Sequence, residues 1–344
     1  MKILVTGATG FLGKVLVQKL LEQGEKDIRC IVRDKRKCAP LEQSALGYSD
    51  AGVEFLTGNL LSSGDVSEAM KDVNIVFHLA SMLRASSSSM FLNNVVGSRN
   101  LMEAAIQFKS IKKFILISSI AIYRTHDLPN GATVNEDIPI DDCPEKRDVY
   151  THSKLMQEEL FWKNFNRFEF DFAVARPSVI YGPGGTALPA RVGLQLPGLF
   201  LHLGGSNRIP ITYVDNCVEA LALIARHENT SGQIYNIVDD DLPTSRYYLK
   251  QYRRIVGRIR YIWIPYPMLM MLSRLNESYS RFSKGQLPAV FTPYKSSSMW
   301  KRLFYDNSKI KQLGWEPRVP TEEAMKITFQ TERQSLAEAE LRHK

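Results

Sequence analysis

Lys2-Ile3-Leu4-Val5-Thr6-Gly7-Ala8-Thr9-Gly10-Phe11-Leu12-Gly13 is the stretch on which the reading of this chain turns. Residues 2–6 form a short, mostly apolar run, which reads as a buried strand. Residues 11–23 carry Leu12, Val15, Leu16 and Leu20 at helical spacing, and Gly24 is placed to end that helix. Three glycines fill the turn between strand and helix. A pyrophosphate needs such a turn, because side chains would block its approach to the backbone. The helix N-terminus adds free N–H groups and a positive dipole end. Gly7, Thr9, Gly10, Phe11, Leu12 and Gly13 are the residues assigned to that cradle. A purely structural glycine turn is the competing reading, and the strand before and amphipathic helix after argue against it.

Working outward, further strands read at 28–32, 53–56, 74–79, 114–118 and 170–176, with helices at 66–71, 91–108 and 148–165. Strands alternating with helices imply a parallel sheet covered on both faces. The class is α/β, a doubly wound Rossmann parallel sheet. After Arg176 the pattern loosens into a breaker-rich loop holding Pro177, Gly182, Pro183, Gly184 and Gly185. Beyond it read a helix at 215–227, a strand at 233–238, a helix at 244–256 and a closing helix at 322–333. The expected organisation is a dinucleotide-binding Rossmann domain over 1–177. A smaller, mixed α/β C-terminal substrate lobe follows over 178–344, with the chain free to cross back.

The 344 residues are 44% hydrophobic and 23% charged, the balance of an ordinary globular protein. The net charge of +8 is dispersed, with basic runs at 33–37 and 253–260, and no aromatic-interleaved basic stripe accompanies it. Nucleic acid is therefore not an expected partner. Cys30, Cys38, Cys143 and Cys217 form no CxxC pair, so neither a disulfide framework nor a metal site is expected, and a cytoplasmic location follows. The N-terminus reads as a strand rather than a signal peptide, and no stretch reaches the ~18 apolar residues that span a bilayer. Residues 261–272 are unusually apolar and follow Arg253, Arg254, Arg258 and Arg260. They read first as core or a dimer contact, second as a pocket wall with adaptable methionines, and third as a peripheral membrane contact. The serines at 86–89 read as a mobile loop placed to serve as a substrate flap.

The GxxGxxG spacing of Thr6–Gly13 resembles the extended short-chain dehydrogenase/reductase family. In a Rossmann fold the end of the second strand meets the adenosine ribose. An acid there suits NAD, and an arginine suits the 2′-phosphate of NADP. This chain has Arg33, followed by Asp34, Lys35, Arg36 and Lys37. NADP is favoured over NAD, with Asp34 keeping NAD open. Gly58-Asn59-Leu60 resembles the family's Gly-Asp-Leu, and the Asn59 carbonyl oxygen can accept from an adenine amine. His78-Leu79-Ala80-Ser81 ends the fourth strand. There Leu79, Ala80 and Ser81 border the cofactor, and His78 reads as a packed structural residue.

Tyr150 and Lys154 stand four apart on a predicted helix and so share a face. An ammonium beside a phenol lowers its pKa, which a tyrosine needs to relay protons near neutrality. A second copy of the motif, Tyr305 and Lys309, lies near the C-terminus, and context selects the first. Ser119 ends the fifth strand, four residues before Tyr123. The resemblance implies that Ser119, Tyr150 and Lys154 are catalytic. Tyr150 exchanges the proton, Lys154 tunes it and holds the nicotinamide ribose, and Ser119 orients the substrate oxygen. It further implies that Asn94 supports the site, that Ser118, Pro177, Ser178 and Val179 border the nicotinamide, and that Tyr181 joins Ser119 as a substrate contact. Asn207-Arg208-Ile209-Pro210-Ile211-Thr212-Tyr213 resembles the 3β-hydroxysteroid dehydrogenase and dihydroflavonol reductase side of the family. The expected function is hydride transfer between a nicotinamide and a lipophilic alcohol or ketone. Ile120-Ala121 replace the Asp-Glu of dehydratases. Arg124 stands after Tyr123 where the family usually has glycine, an unexplained departure. A nucleotide-sugar epimerase with tightly held NAD is the alternative, and a non-catalytic dinucleotide-binding protein a further one. The small-molecule substrate aside, the implied partner is a second copy, through helices 91–108 and 148–165.

Overall fold

The computed structural model describes residues 1–38, 52–83, 85–283, 286 and 291–342, and the Lys37 and Arg342 side chains lie outside them. The central strands are β1 (Ile3–Thr6), β2 (Ile28–Val32), β3 (Val53–Thr57), β4 (Ile75–His78) and β5 (Lys113–Ile117). After the short β6 (Thr133–Val134) come β7 (Asp171–Pro177) and β8 (Val179–Tyr181). The chain continues through β9 (Gly193–Leu196), β10 (Leu199–His202), β11 (Ile211–Tyr213), β12 (Gln233–Ile237), β13 (Tyr261–Trp263) and β14 (Phe304–Tyr305). Seven of them make one parallel sheet in the order β12-β7-β5-β4-β1-β2-β3. Its seventh strand, and the helix Val214–Arg226 that packs on the first helix, come from beyond residue 177.

Neighbouring residues on a strand point to opposite faces, and the core divides accordingly. Val5 joins Leu16, Val17, Cys30, Val218 and Leu221 on one side, while Leu4 joins Val76, Phe114, Leu116, Phe161 and Phe172 on the other. Each such side chain contributes about 1.5–3 kcal/mol by leaving water. Burial reaches Arg29 in β2, whose guanidinium donates to Glu54 at 2.7 Å and to the carbonyls of Ala69 and Lys71. A buried cation is tolerated when its donors are satisfied in this way.

Four expectations need correction. The helix read at 91–108 is two α-helices, Ser87–Phe91 and Gly97–Gln107, joined by a π-helical stretch at Leu92–Val96. The serines read as a loop begin the first of these, because the Ser86 hydroxyl accepts from the Ser89 N–H and caps it. The segment 261–272 is core only at Ile264 and Leu269: Tyr261, Ile262 and Trp263 are 41%, 53% and 48% exposed. They form the edge of a small sheet, β13-β10-β9. The closing helix also runs further than the sequence suggests, over Thr321–Arg342.

Candidate functional site

The glycine turn lies at the C-terminal edge of the sheet. Gly7 sits at φ +73°, where a side chain is strained, and a Cβ there would lie 2.8 Å from the Ala80 nitrogen. A Cβ on Gly13 would come within 2.2 Å of the Gly7 carbonyl oxygen. The loop is therefore packed against β4 on one side and its own helix on the other. That helix, α1 (Phe11–Glu22), starts at Gly10 with no side chain capping it, so its first N–H groups face outward as an anion site requires. The Phe11 ring lies against Gly185 and Gly182, which brings the breaker-rich loop over the cradle.

Three buried hydroxyls on this same edge, those of Ser81, Ser118 and Ser178, have no hydrogen-bond partner among the described residues. They follow or end β4, β5 and β7. Unpartnered buried polar atoms call for a ligand or water, so the residues present fit a dinucleotide lying along the edge. Leu79 and Ala80 continue that edge. Ala80 donates its N–H to Thr6 at 3.1 Å, tying β1 to β4. Pro177 ends β7 and Val179 opens β8, on either side of Ser178.

Asp148 caps the helix Val149–Lys163 by accepting from the Thr151 N–H at 3.0 Å. Tyr150 is its second residue and Lys154 lies one turn on. Ser119, just past β5, accepts from the Ala121 N–H at 3.1 Å and lies beside the Tyr150 phenol. Burial pushes the phenol up to about 12, and the Asp148 carboxylate pushes the same way against the pull of Ser119. This corrects the expectation of a lowered pKa. The Lys154 ammonium is turned to the Ile117 carbonyl and the Gln157 side chain, both at 2.6 Å, rather than to the phenol. Burial also draws Lys154 itself down to about 7, against the pull of Glu158.

A model of the NAD dependent epimerase/dehydratase family matches residues 3–238. The chain belongs to that family. It is an NAD(P)-dependent enzyme of the extended short-chain dehydrogenase/reductase type. It is similar to the mouse sterol-4-alpha-carboxylate 3-dehydrogenase, decarboxylating, at 28% identity over 96% of this chain and 90% of that protein. The human protein of the same name is 29% identical over 95% and 87%. A UDP-glucuronic acid 4-epimerase from Bacillus cereus superposes with a TM-score of 0.73 at 22% identity, over 97% of this chain and 100% of that one, a likeness of fold.

Within this epimerase/dehydratase-family chain, Arg33 stands exposed just past β2. The Asp34 carboxylate accepts from the Arg36 backbone and guanidinium at 3.0 Å. The Asn59 carbonyl oxygen accepts from the Leu61 N–H at 3.1 Å, and Leu60 accepts from Asn100 at 2.9 Å. Asn94 sits in the π-helical stretch and clamps two elements: it accepts from Met82 at 2.7 Å and donates to Ser153 at 2.9 Å. π-Helical stretches are frequent at functional sites. Tyr181 needs correction as a substrate contact. It is fully buried and donates to the Thr321 carbonyl at 3.4 Å. Tyr305 and Lys309 lie on separate elements, β14 and the helix Ser308–Lys311, which removes the second Tyr/Lys motif from contention.

Two functional positions escaped the sequence reading. Gln157 links Lys154 to Ser98 at 2.6 Å and to His78, which in turn bonds Thr6 at 2.8 Å. Its spacing, three residues after Lys154, was the available signal. His78 is held neutral, drawn down to about 3 by burial and then by Lys154, in keeping with a structural role. Asp141, buried, is bound by Arg147 at 2.6 Å and by the Tyr294 hydroxyl. That anchors the helix Pro293–Trp300 to the loop ahead of the helix Val149–Lys163, over a separation of 153 residues that no local pattern reports.

Proposed function

We propose that this protein oxidises or reduces a hydroxyl- or carbonyl-bearing carbon of a lipophilic small molecule, and that it takes NADP in preference to NAD. The observation that carries the reading is Tyr150 beside Ser119 and one helical turn from Lys154. It stands on the edge where the glycine cradle and the three unpartnered serines lie. The bound dinucleotide supplies the hydride donor or acceptor. Gly7, Gly10 and Gly13 leave room for its pyrophosphate, and Ser81, Ser118 and Ser178 offer it hydroxyls. Tyr150 gives or takes the proton at the substrate oxygen, and Ser119 orients that oxygen. Lys154, placed to ionise near neutrality, supports the proton's passage through Tyr150. The sterol dehydrogenase relatives support an apolar substrate. Arg33, exposed beside an Asp34 already engaged with Arg36, supports the 2′-phosphate. The four cysteines, none in a CxxC pair, suit a reducing, cytoplasmic compartment. The exposed Leu92 and Met156 support a homodimer through the helices that carry them.

The test is a titration with NADPH and NADH, followed by a panel of sterol-like alcohols and ketones beside UDP-sugars. The expected result is NADPH bound about tenfold more tightly, a preference erased in Arg33→Ala, with turnover confined to the apolar panel. NAD retained through purification together with epimerised UDP-sugar would overturn both parts.

A further inference from the structure

The helix Tyr266–Phe282 is built inside out. Met268, Met271, Leu272, Leu275, Tyr279 and Phe282 recur at helical spacing and fall within an arc of about 100°. In an ordinary surface helix such a stripe faces the core. Here each of the six is between 37% and 84% exposed. The buried positions are Leu269 and Ser273, and Ser273 meets Ser296 of the neighbouring helix at 2.7 Å. The preceding strand β13 also presents its apolar side chains, Tyr261, Ile262 and Trp263, to the outside. The exposed apolar residues thus recur along one continuous segment, 261–282.

The charge around that segment is as unusual as its exposure. Residues 246–282 hold eight Lys or Arg and one acid, Glu277, a net +7 against +8 for the whole chain. The charge that reads as dispersed is therefore gathered here, and the rest of the protein is close to neutral. Arg246 lies over the Trp263 ring at 5.3 Å and Arg253 over the Tyr261 ring at 4.8 Å. Of the eight, Arg281 alone forms an ion pair among the described residues, with Glu277.

We propose that this face rests on an anionic phospholipid surface, with the helix Tyr266–Phe282 lying in the interface plane. An outward apolar stripe, aromatic rings at its start and a basic surround match what such a surface offers: acyl chains below and negative headgroups around. A second copy of the chain fits less well, because closing the face on itself would bring +7 against +7. The helix lies on the surface rather than crossing it, since no described helix is long and apolar enough to span a membrane. The inference does not rest on the substrate reading.

The test is co-sedimentation of the full chain with phosphatidylcholine vesicles, with and without phosphatidylserine. Binding to the serine-containing vesicles is expected to be about tenfold tighter or more and to fall at high salt. The double variant Leu275→Glu/Phe282→Glu, at exposed positions, should lower vesicle binding about tenfold or more while leaving NADPH affinity and melting temperature unchanged. Arg258→Glu/Arg260→Glu should abolish the preference for phosphatidylserine. Absence of wild-type binding to either vesicle overturns the proposal. So does a wild-type dimer, indifferent to vesicles, that Leu275→Glu/Phe282→Glu converts to monomer, which would make the face an interface between copies.

Discussion

β2 and β13 are both short, largely apolar strands close to arginines, and they meet opposite fates. All five residues of Ile28–Val32 are buried, the arginine included, whereas all three of Tyr261–Trp263 are exposed. β2 has a hydrogen-bonded neighbour on each side and stands in a sheet covered on both faces; β13 is an edge strand with β10 alone beside it. Apolar character states that a segment stabilises something by leaving water. Topology decides whether the chain supplies the cover or leaves it to another surface.

That contrast can be broken or sharpened by measurement. The largest effect belongs to the enclosed side. Tyr150→Phe should lower turnover by about 10²–10⁴-fold with an unchanged melting temperature, and near-normal turnover would remove the proton role from this residue. Leu116→Ala, in the interior, should cost about 2–5 kcal/mol in denaturant unfolding. Third comes pH. His78 stays neutral down to about 3 when folded and takes its proton near 6.5 when unfolded. The unfolded state therefore binds more protons across that window, and stability must fall as pH drops through it. The slope contributed is at most ~1.4 kcal/mol per pH unit, and His78→Gln should flatten it. The smallest effect falls on the outer stripe, where Leu275→Ala should change stability by less than ~0.5 kcal/mol. If it instead cost as much as Leu116→Ala, the stripe would be covered within the protein and the comparison would fail.

The legible part of the molecule follows the same division. β1, β2, β4 and β5 announce themselves because burial on both faces makes them largely apolar runs, and the glycine turn declares itself by position. Tyr150, Lys154 and Ser119 were visible through spacing and through family resemblance. Three kinds of feature were not. β8 to β11 are short strands among prolines and glycines, where periodicity has no room to show. The direction of the Tyr150 shift is set by burial and by Asp148, while the Lys154 ammonium turns to Ile117 and Gln157, and the motif reports none of this. Tyr181 shares a motif with site residues but spends its side chain inside the C-terminal core, against Tyr213. Adjacency in sequence does not carry orientation with it.

The path of β12 has a consequence for synthesis. A chain emerging from the ribosome with everything through β7 complete still has an unpaired edge at Ala173–Pro177, because the strand that covers it is made about 60 residues later. Until then that edge offers its free backbone groups to any neighbouring strand. The first half is thus the part most easily read and yet unable to finish itself. Nascent chains stalled before residue 233 should be the ones that recruit holding chaperones, and those released after the helix Ser245–Ile255 should not.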